Sequence, residues 1–542
     1  MEALDQKSVV NAPLGLGGKA KGSWVAGLFA GLISAAAMTA LMFWGLFRFG
    51  TPFPPALFAE SMFAIMPMEV FHFFITSLGK SAKPLAFYSS VAMYVAIGAA
   101  LGAAFPILMR RISSRRIWLD SILYSVAIWV LTMLLFMPLV GAGFWGANLQ
   151  QGAIPGGFSL LIYHLIYGIL LGFGYLGFTY LTSRSRSGKR SAKISTPTDA
   201  PANPERREML KKLAVGLIAF GAANSILGLL ERTAKYSLAL AQEFFAKIKG
   251  LSQEITPTPD FYTVSKNVFD PTVDAGKWRL EVKGLVEKSY KLTYDELKTL
   301  PTVEQYANLI CISNPVGGDL VGNALWKGVP LKDLLNRAGV KGQANEIILK
   351  AEEGYTDSFP LSKGMAEGTM LAYEMNGAPL DPKHGFPARL IVPGIYGMKN
   401  VKWLNTIELA DYDYKGFWER RGWSDEAIIR TMSRIDTPQH MDTLKVGGKV
   451  YIAGIAFASI RGIKAVEVST DGGFTYNKTT AKDPISPYSW TLWAYEWEPK
   501  NKGDYTIIVR ATDGTGEVQT ADRQDSLPEG ATGRHNIKVR VA

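Results

Sequence analysis

Apolar positions are spread unevenly along the chain. Residues 24–47, 85–109, 121–147, 153–183 and 213–230 contain no Asp, Glu, Lys or Arg. The hydrocarbon core of a bilayer is crossed by roughly 20 apolar residues of helix, so each run predicts a membrane span. The buried helices of a large soluble protein are apolar too, but four such runs crowd into the first 183 residues. The Met-rich and aromatic stretch 53–74 reads as a re-entrant or interfacial segment. Residues 184–207, rich in Ser, Arg, Lys and Pro, read as a flexible linker. Residues 231–249 read as a polar continuation of the fifth helix, which Thr256-Pro257-Thr258-Pro259 brings to an end.

Beyond that point the period changes. Trp278-Arg279-Leu280-Glu281-Val282 alternates in the manner of a half-buried strand. In the last hundred residues Val466-Glu467-Val468-Ser469 and Tyr505-Thr506-Ile507-Ile508-Val509 alternate likewise. Asp471-Gly472-Gly473 and Asp513-Gly514-Thr515-Gly516 supply turns between such runs. This spacing predicts an antiparallel sandwich of immunoglobulin type over 431–542.

Charge changes the picture in two ways. Of the net +11, all lies in residues 1–230, which hold 19 Lys and Arg against 8 Asp and Glu; residues 231–542 hold 39 of each sign. A nucleic-acid binder carries its excess on the folded soluble domain, so that class of partner is excluded. The cations also give an orientation, because cytoplasmic loops retain Lys and Arg. Lys19 and Lys21 precede the first span, and Arg110, Arg111, Arg115 and Arg116 fill the second connection. Arg184, Arg186, Lys189, Arg190, Lys193, Arg206, Arg207, Lys211 and Lys212 precede the fifth span. Both ends of the four-helix region, 1–183, are thus expected inside a plasma membrane. The segment 184–249 is expected to carry the chain outward through a fifth anchor helix. Arg206-Arg207-Glu208-Met209-Leu210-Lys211 resembles a twin-arginine export signal, which passes folded proteins; a positive-inside anchor with two adjacent Arg is the alternative.

Cys311 is the only cysteine, which excludes an intrachain disulfide and a multi-cysteine zinc site. A lone Cys is ordinarily a small core hydrophobe. Here an apolar strand runs into Cys311, followed by Ser313, Asn314, Pro315, Gly317 and Gly318, which places the thiol where a loop begins.

The run from Tyr306, YANLICISNPVGGDLVGNALWKGVPLKDLL, resembles the sulfite oxidase family segment in which Cys and a later Asn follow a strand. The match from Leu371 to Leu409, LAYEMNGAPLDPKHGFPARLIVPGIYGMKNVKWLNTIEL, is stronger. The resemblance covers 260–542 almost continuously. It implies an α+β molybdopterin domain over 257–430, a dimerisation-type sandwich after it, and a homodimer. It implies Cys311 as the molybdenum ligand. It also implies His384, Arg389, Lys399, Asn400, Val401 and Lys402 as contacts to the molybdenum–molybdopterin cofactor. The Phe261-Tyr262-Thr263 opening makes Tyr262 and Thr263 backbone contacts to the pterin. Asp413-Tyr414-Lys415-Gly416-Phe417 resembles the family segment whose Tyr lines the pocket beside the metal, which makes Tyr414 catalytic. Lys266 and Asn314 are candidates to line the substrate pocket.

The chain departs from the family where an anion would bind. Val264-Ser265-Lys266 replaces Arg-Asn-His, Pro315-Val316 replaces Arg-Arg, and His535-Asn536 replaces His-Arg. The expected substrate is therefore a small neutral or weakly charged oxo compound such as a sulfoxide. A sulfite dehydrogenase with a rebuilt anion pocket and a scaffold that has lost its metal are the alternatives. Electrons pass to or from a partner in or near the membrane. His72 and His164 are expected to pack or hydrogen-bond within the bundle rather than bind haem b. A cofactor inserted before export favours the twin-arginine route.

Overall fold

The computed structural model describes residues 24–67, 70, 73–74, 77–78, 82–109, 117–149, 152–187 and 243–542. The expected fifth span, Arg206-Arg207, the linker beyond 187 and His72 lie outside the described residues. The chain divides into two units, one ending at Asp199 and the other starting at Ala200.

The first unit is helical: α1 (Trp24–Phe49), α2 (Pro54–Ile65), α3 (Ala82–Met109), α4 (Ile117–Leu131) and α5 (Ala153–Ser187). A π-helical turn at Thr132–Phe136 carries α4 on to Leu139. Four of these helices are long and apolar enough to cross a membrane. The 12 residues of α2 rise only about 18 Å and do not, so the 53–74 stretch contains a short non-spanning helix. Ile33, Trp44, Leu123 and Phe158 are exposed on the spans, as suits helices that meet lipid. Small residues set the close approach of α1 to α3: a Cβ on Gly31 would lie 2.6 Å from Cα of Gly102. His164 is buried, with Nδ1 2.8 Å from the Leu160 carbonyl oxygen and Nε2 3.4 Å from Thr132 Oγ1 at the π turn.

In the second unit the helix that the sequence predicts to run to 249 ends earlier. Its described residues are Glu243–Ala246, and the chain then turns at 247–250. Competing contacts explain this. The Phe244 ring meets Tyr451, the Ser252 N–H donates to Asp436, and Glu254 pairs with buried Lys482. Residues 251–256 therefore belong with the soluble domain, ahead of the expected boundary at 257.

Two sheets build the central domain. One has the order β2 (Tyr290–Thr293), β1 (Arg279–Gly284), β10 (Leu404–Ala410), β5 (Glu346–Ala351), β6 (Thr356–Pro360). Leu280 and Val282 of β1 are fully buried at alternate positions, with Ile347, Leu349, Ile407 and Leu409 of its neighbours. The other has the order β3 (Val303–Ile310), β4 (Val321–Pro330), β7 (Met370–Met375), β8 (Ala378–Pro379), and β9 (Arg389–Ile391) also pairs with β7. Its core contains Leu309, Trp326, Ala372 and Ile391. The last domain is a sandwich. Its four-stranded sheet runs β11 (Met432–Thr437), β13 (Val450–Phe457), β17 (Thr491–Trp497), β16 (Thr480–Ala481). Its five-stranded sheet runs β12 (Thr443–Leu444), β19 (Asn536–Val541), β18 (Gly503–Asp513), β14 (Ile463–Ser469), β15 (Asn477–Lys478). Ile537, Val539 and Val541 point into the core while Asn536, Lys538 and Arg540 face out, as the alternation requires. At the β14 turn Asp471 accepts from the Thr475 N–H and hydroxyl while Gly472 and Gly473 take positive φ.

Candidate functional site

Cys311 is the first residue after β3. Its N–H donates to the Leu320 carbonyl (3.0 Å), the Asn314 N–H donates to the Cys311 carbonyl (3.0 Å), and the Leu320 N–H donates to Asn314 Oδ1 (2.8 Å). The loop 311–320 is closed by these bonds, in which Asn314 Oδ1 takes part. The thiol is buried, 3.0 Å from Ser313 Oγ. Burial pushes its pKa up, and hydrogen bonds from Ser313 pull the other way. Such a thiol ionises when a cation arrives to bind it.

Beside it lies a cluster of rings around a buried cation. Tyr262 stacks on Phe261 (centroids 5.5 Å), and Phe261 meets both Trp326 (5.8 Å) and His384 (5.6 Å) edge-on. Arg389, at the start of β9, lies 5.2 Å over Trp326. Its Nη1 and Nη2 donate to the main-chain oxygens of His384 (3.1 Å) and Asn400 (3.2 Å), while its buried Nε has no hydrogen-bond partner. Among the described residues no carboxylate lies within ion-pair reach of it. Burial lowers its pKa to about 10, and burial with the Arg389 charge lowers His384 to about 4, against a bond to the Thr258 carbonyl (3.1 Å). Burial and neighbouring Cys311 raise the Tyr262 phenol, and Arg389 opposes them. Cys311, Tyr262, His384 and Arg389 therefore converge. Gly397 completes the cradle, because a Cβ there would lie 2.7 Å from the Tyr262 hydroxyl and 3.2 Å from the Ile310 carbonyl oxygen.

In the turn that follows, the polar side chains are engaged within the protein. The Lys399 ammonium donates to Asp357 (2.9 Å), the Ser358 carbonyl (2.8 Å) and Glu419 (2.8 Å), all buried. Burial alone would depress this amine, but Asp357 and Glu419 outweigh it and raise it. Burial pushes Asp357 up to about 8, against the pull of Lys399 and with Glu419 adding to the rise. The Asn400 side chain accepts from the Val392 N–H (2.6 Å) and donates to the Tyr396 carbonyl (3.1 Å). Val401 is in the core, and Lys402 donates to the Lys383 carbonyl (3.0 Å) over the Trp403 ring. These four residues shape the turn with their side chains. Thr263 is exposed.

Tyr414 sits on the other side of that network. Its hydroxyl donates to Thr356 Oγ1 (3.0 Å) and its carbonyl accepts from Ser358 Oγ (2.6 Å). Arg420, which no motif singled out, brings Nη1 to 3.5 Å from the Tyr414 hydroxyl. Lys266 lies 5.7 Å over the Phe417 ring and donates to Asn267 Oδ1 (2.7 Å) and the Glu353 carbonyl (2.9 Å). Burial raises the Glu353 carboxyl to about 7 against the pull of Lys266, and its Oε2 is buried without a hydrogen-bond partner. Glu353, Asp357 and Glu419 carry no sequence signal because their partners Lys266 and Lys399 are distant in the chain, and Arg420 belongs to no motif although Tyr414 is only six positions away.

A soft thiol, a guanidinium with no internal counter-ion and a glycine-lined approach suit a metal held by a phosphate-bearing organic group. Comparison with known proteins agrees. Residues 267–418 match the oxidoreductase molybdopterin binding domain, and 427–540 match the Mo-co oxidoreductase dimerisation domain, which suggests a homodimer. The chain is 41% identical over 150 residues to an uncharacterized oxidoreductase, YuiH, of Bacillus subtilis, covering 28% of this chain and 74% of that protein. It is 31% identical over 319 residues to the mitochondrial sulfite oxidase of Drosophila melanogaster, covering 49% of this chain and 55% of the relative. The sulfane dehydrogenase SoxCD of Paracoccus pantotrophus aligns at 25% identity with a TM-score of 0.47, over 56% of this chain and 86% of that one. The 267–418 domain is that of a molybdenum-dependent oxidoreductase with a molybdopterin cofactor. The chain belongs to the sulfite oxidase family, joined here to four helices able to span a membrane. It spans only about half the length of the sulfite oxidases that it matches.

Proposed function

We propose that this chain carries out two-electron oxygen-atom transfer on a small neutral or weakly charged oxo substrate, a sulfoxide or similar, outside the plasma membrane. Reduction of a sulfoxide consumes two electrons and two protons and releases the sulfide and water. The molybdenum cofactor supplies the redox chemistry when bound. The chain's own residues hold and orient. Cys311 ligates through its thiolate, Arg389 and His384 take the phosphate and pterin, and Tyr262, Thr263 and the 399–402 turn offer backbone contacts. Tyr414 hydrogen-bonds the substrate oxygen: its hydroxyl and that of Thr356 can exchange donor and acceptor roles, which frees the phenol proton to face substrate. Glu353 can hold and release a proton near neutral pH beside Lys266.

The observation that carries the substrate class is the state of Lys266. Its ammonium, the cation nearest to the family's anion-binding positions in sequence, already donates to Asn267 and Glu353. Removing a charge-assisted hydrogen bond in a desolvated pocket costs about 1.5 to 3 kcal/mol, so the missing family cations should weaken sulfite capture by orders of magnitude. One observation favours a second reading, sulfite oxidation: Arg420 stands beside Tyr414. Steady-state kinetics on sulfite and on a panel of sulfoxides and N-oxides, with the parent, Lys266→Ala and Arg420→Ala, separates the two. Fast sulfoxide turnover that both variants retain is expected. Efficient sulfite oxidation lost in Arg420→Ala would move the assignment to the second reading.

The orientation rests on the cation asymmetry and on Arg206-Arg207. Changing both to Lys keeps the charge and should stop export of the cofactor-loaded domain, as read by protease accessibility in spheroplasts. Unimpaired export would point to a general insertion route.

A further inference from the structure

The loop that carries Cys311 is held from the sandwich as well as from its own domain. Arg434 of β11 donates through Nη1 to the Gly318 carbonyl (2.8 Å), while its Nε bonds Asp436 (2.6 Å) and its Nη2 bonds Ser252 (2.8 Å). The guanidinium is thus locked at three corners. His535, just before β19, lays its ring on Gly317. A Cβ on that residue would collide with the ring, and φ of +79° suits glycine there. The ring is itself fixed, because His535 Nδ1 accepts from the Ile435 N–H (3.0 Å). A third contact lies next to the thiol. Tyr396, close enough for the Cys311 charge to raise its phenol, accepts from the Arg430 N–H (3.2 Å), and its hydroxyl sits where a Cβ of Gly530 would go.

We infer that the sandwich sets the position of the Cys311 loop, with Arg434 and His535 as positioning residues that clamp Gly317 and Gly318. A dimerisation module would then also govern access to, and aim of, the metal-ligating thiol. The clamp itself is independent of the metal; its relevance to chemistry rests on Cys311 being the ligand. Both residues fix main chain six or seven positions beyond the thiol, in a loop otherwise closed by Asn314 and Leu320.

Because Cys311 is the sole cysteine, alkylation reports this loop alone. Full-length protein made in cells unable to assemble the cofactor is treated with iodoacetamide in detergent at fixed pH, and the labelling rate is measured. Arg434→Met and His535→Ala should react about tenfold faster than the parent, or more, and Arg434→Lys at an intermediate rate, since opening is local. Arg510→Met, which breaks the Arg510–Glu467 pair on the β18–β14 face of the same sandwich, should stay within about twofold of the parent. Parental rates in both His535→Ala and Arg434→Lys would overturn the clamp. A rise in Arg510→Met equal to that in His535→Ala would overturn it too, since general loosening would then explain the effect. Molybdenum content of the parental holoenzyme is read in parallel. A metal-free parent with fast-labelling variants upholds the clamp and removes the ligand assignment; a metal-loaded parent with unchanged variants does the reverse.

Discussion

Arg389 and Lys399 are two buried cations on either side of one turn, at 5% and 1% exposure, and they have opposite surroundings. Lys399 is enclosed by Asp357 and Glu419, and the Ser358 carbonyl takes its third proton. Arg389 has two main-chain carbonyls, an aromatic face and an Nε with nothing to bond. A buried charge that the chain neutralises is architecture, and removing one partner strands the others. A buried charge left without a counter-ion is expensive until a ligand arrives, and it marks where an anion belongs.

The largest effect that can break this contrast is on stability. Lys399→Met leaves Asp357 and Glu419 buried together and should cost about 3 to 5 kcal/mol, seen as a large drop in the thermal unfolding temperature of the cofactor-free chain. Arg389→Gln should leave that temperature unchanged or raised, yet reduce cofactor retention by about a hundredfold in gel-filtered protein. Equal destabilisation by the two substitutions would abolish the distinction. A smaller effect sharpens it. His384 has a folded pKa of about 4, below its ordinary value of 6.5, because it is buried and Arg389 is charged. The unfolded chain thus binds the extra proton first as pH falls. Stability of the cofactor-free protein should be intact above pH 6.5 and decline toward pH 4, by up to about 3 kcal/mol from this group. His384→Gln should flatten that part of the profile, and an unchanged slope would place the acid sensitivity elsewhere.

The parts of the molecule legible in sequence are those written in local periodicity. Charge-free runs mark the four long helices, and alternation marks β1, β14 and β18. The 306–335 and 371–409 segments carry Cys311, His384 and Arg389 to one place. What sequence could not show is which side chains would be used up internally. Lys399, Asn400 and Asn314 look like cofactor or pocket contacts in a motif, yet Lys399 Nζ, Asn400 Oδ1 and Asn314 Oδ1 are engaged by Asp357, Val392 and Leu320. Those partners lie 6 to 42 positions away, and no local spacing announces them. The same holds for Arg434 and His535, whose bond to Gly318 and contact with Gly317 span the domain boundary. The helix expected to run to 249 fails for a related reason: tertiary bonds from Ser252 and Glu254 outcompete helical propensity.

The most direct test concerns the thiol. Molybdenum analysis together with X-ray absorption at the metal edge, on the parent and on Cys311→Ser, asks whether the chain donates a sulfur to the metal. Thiolate is a far softer ligand than hydroxyl. The parent should contain about one molybdenum per chain. The serine variant should keep its fold by circular dichroism, lose turnover, and show one sulfur neighbour fewer or no metal at all. A serine variant with the parental metal content, sulfur count and turnover would contradict Cys311 as the ligand.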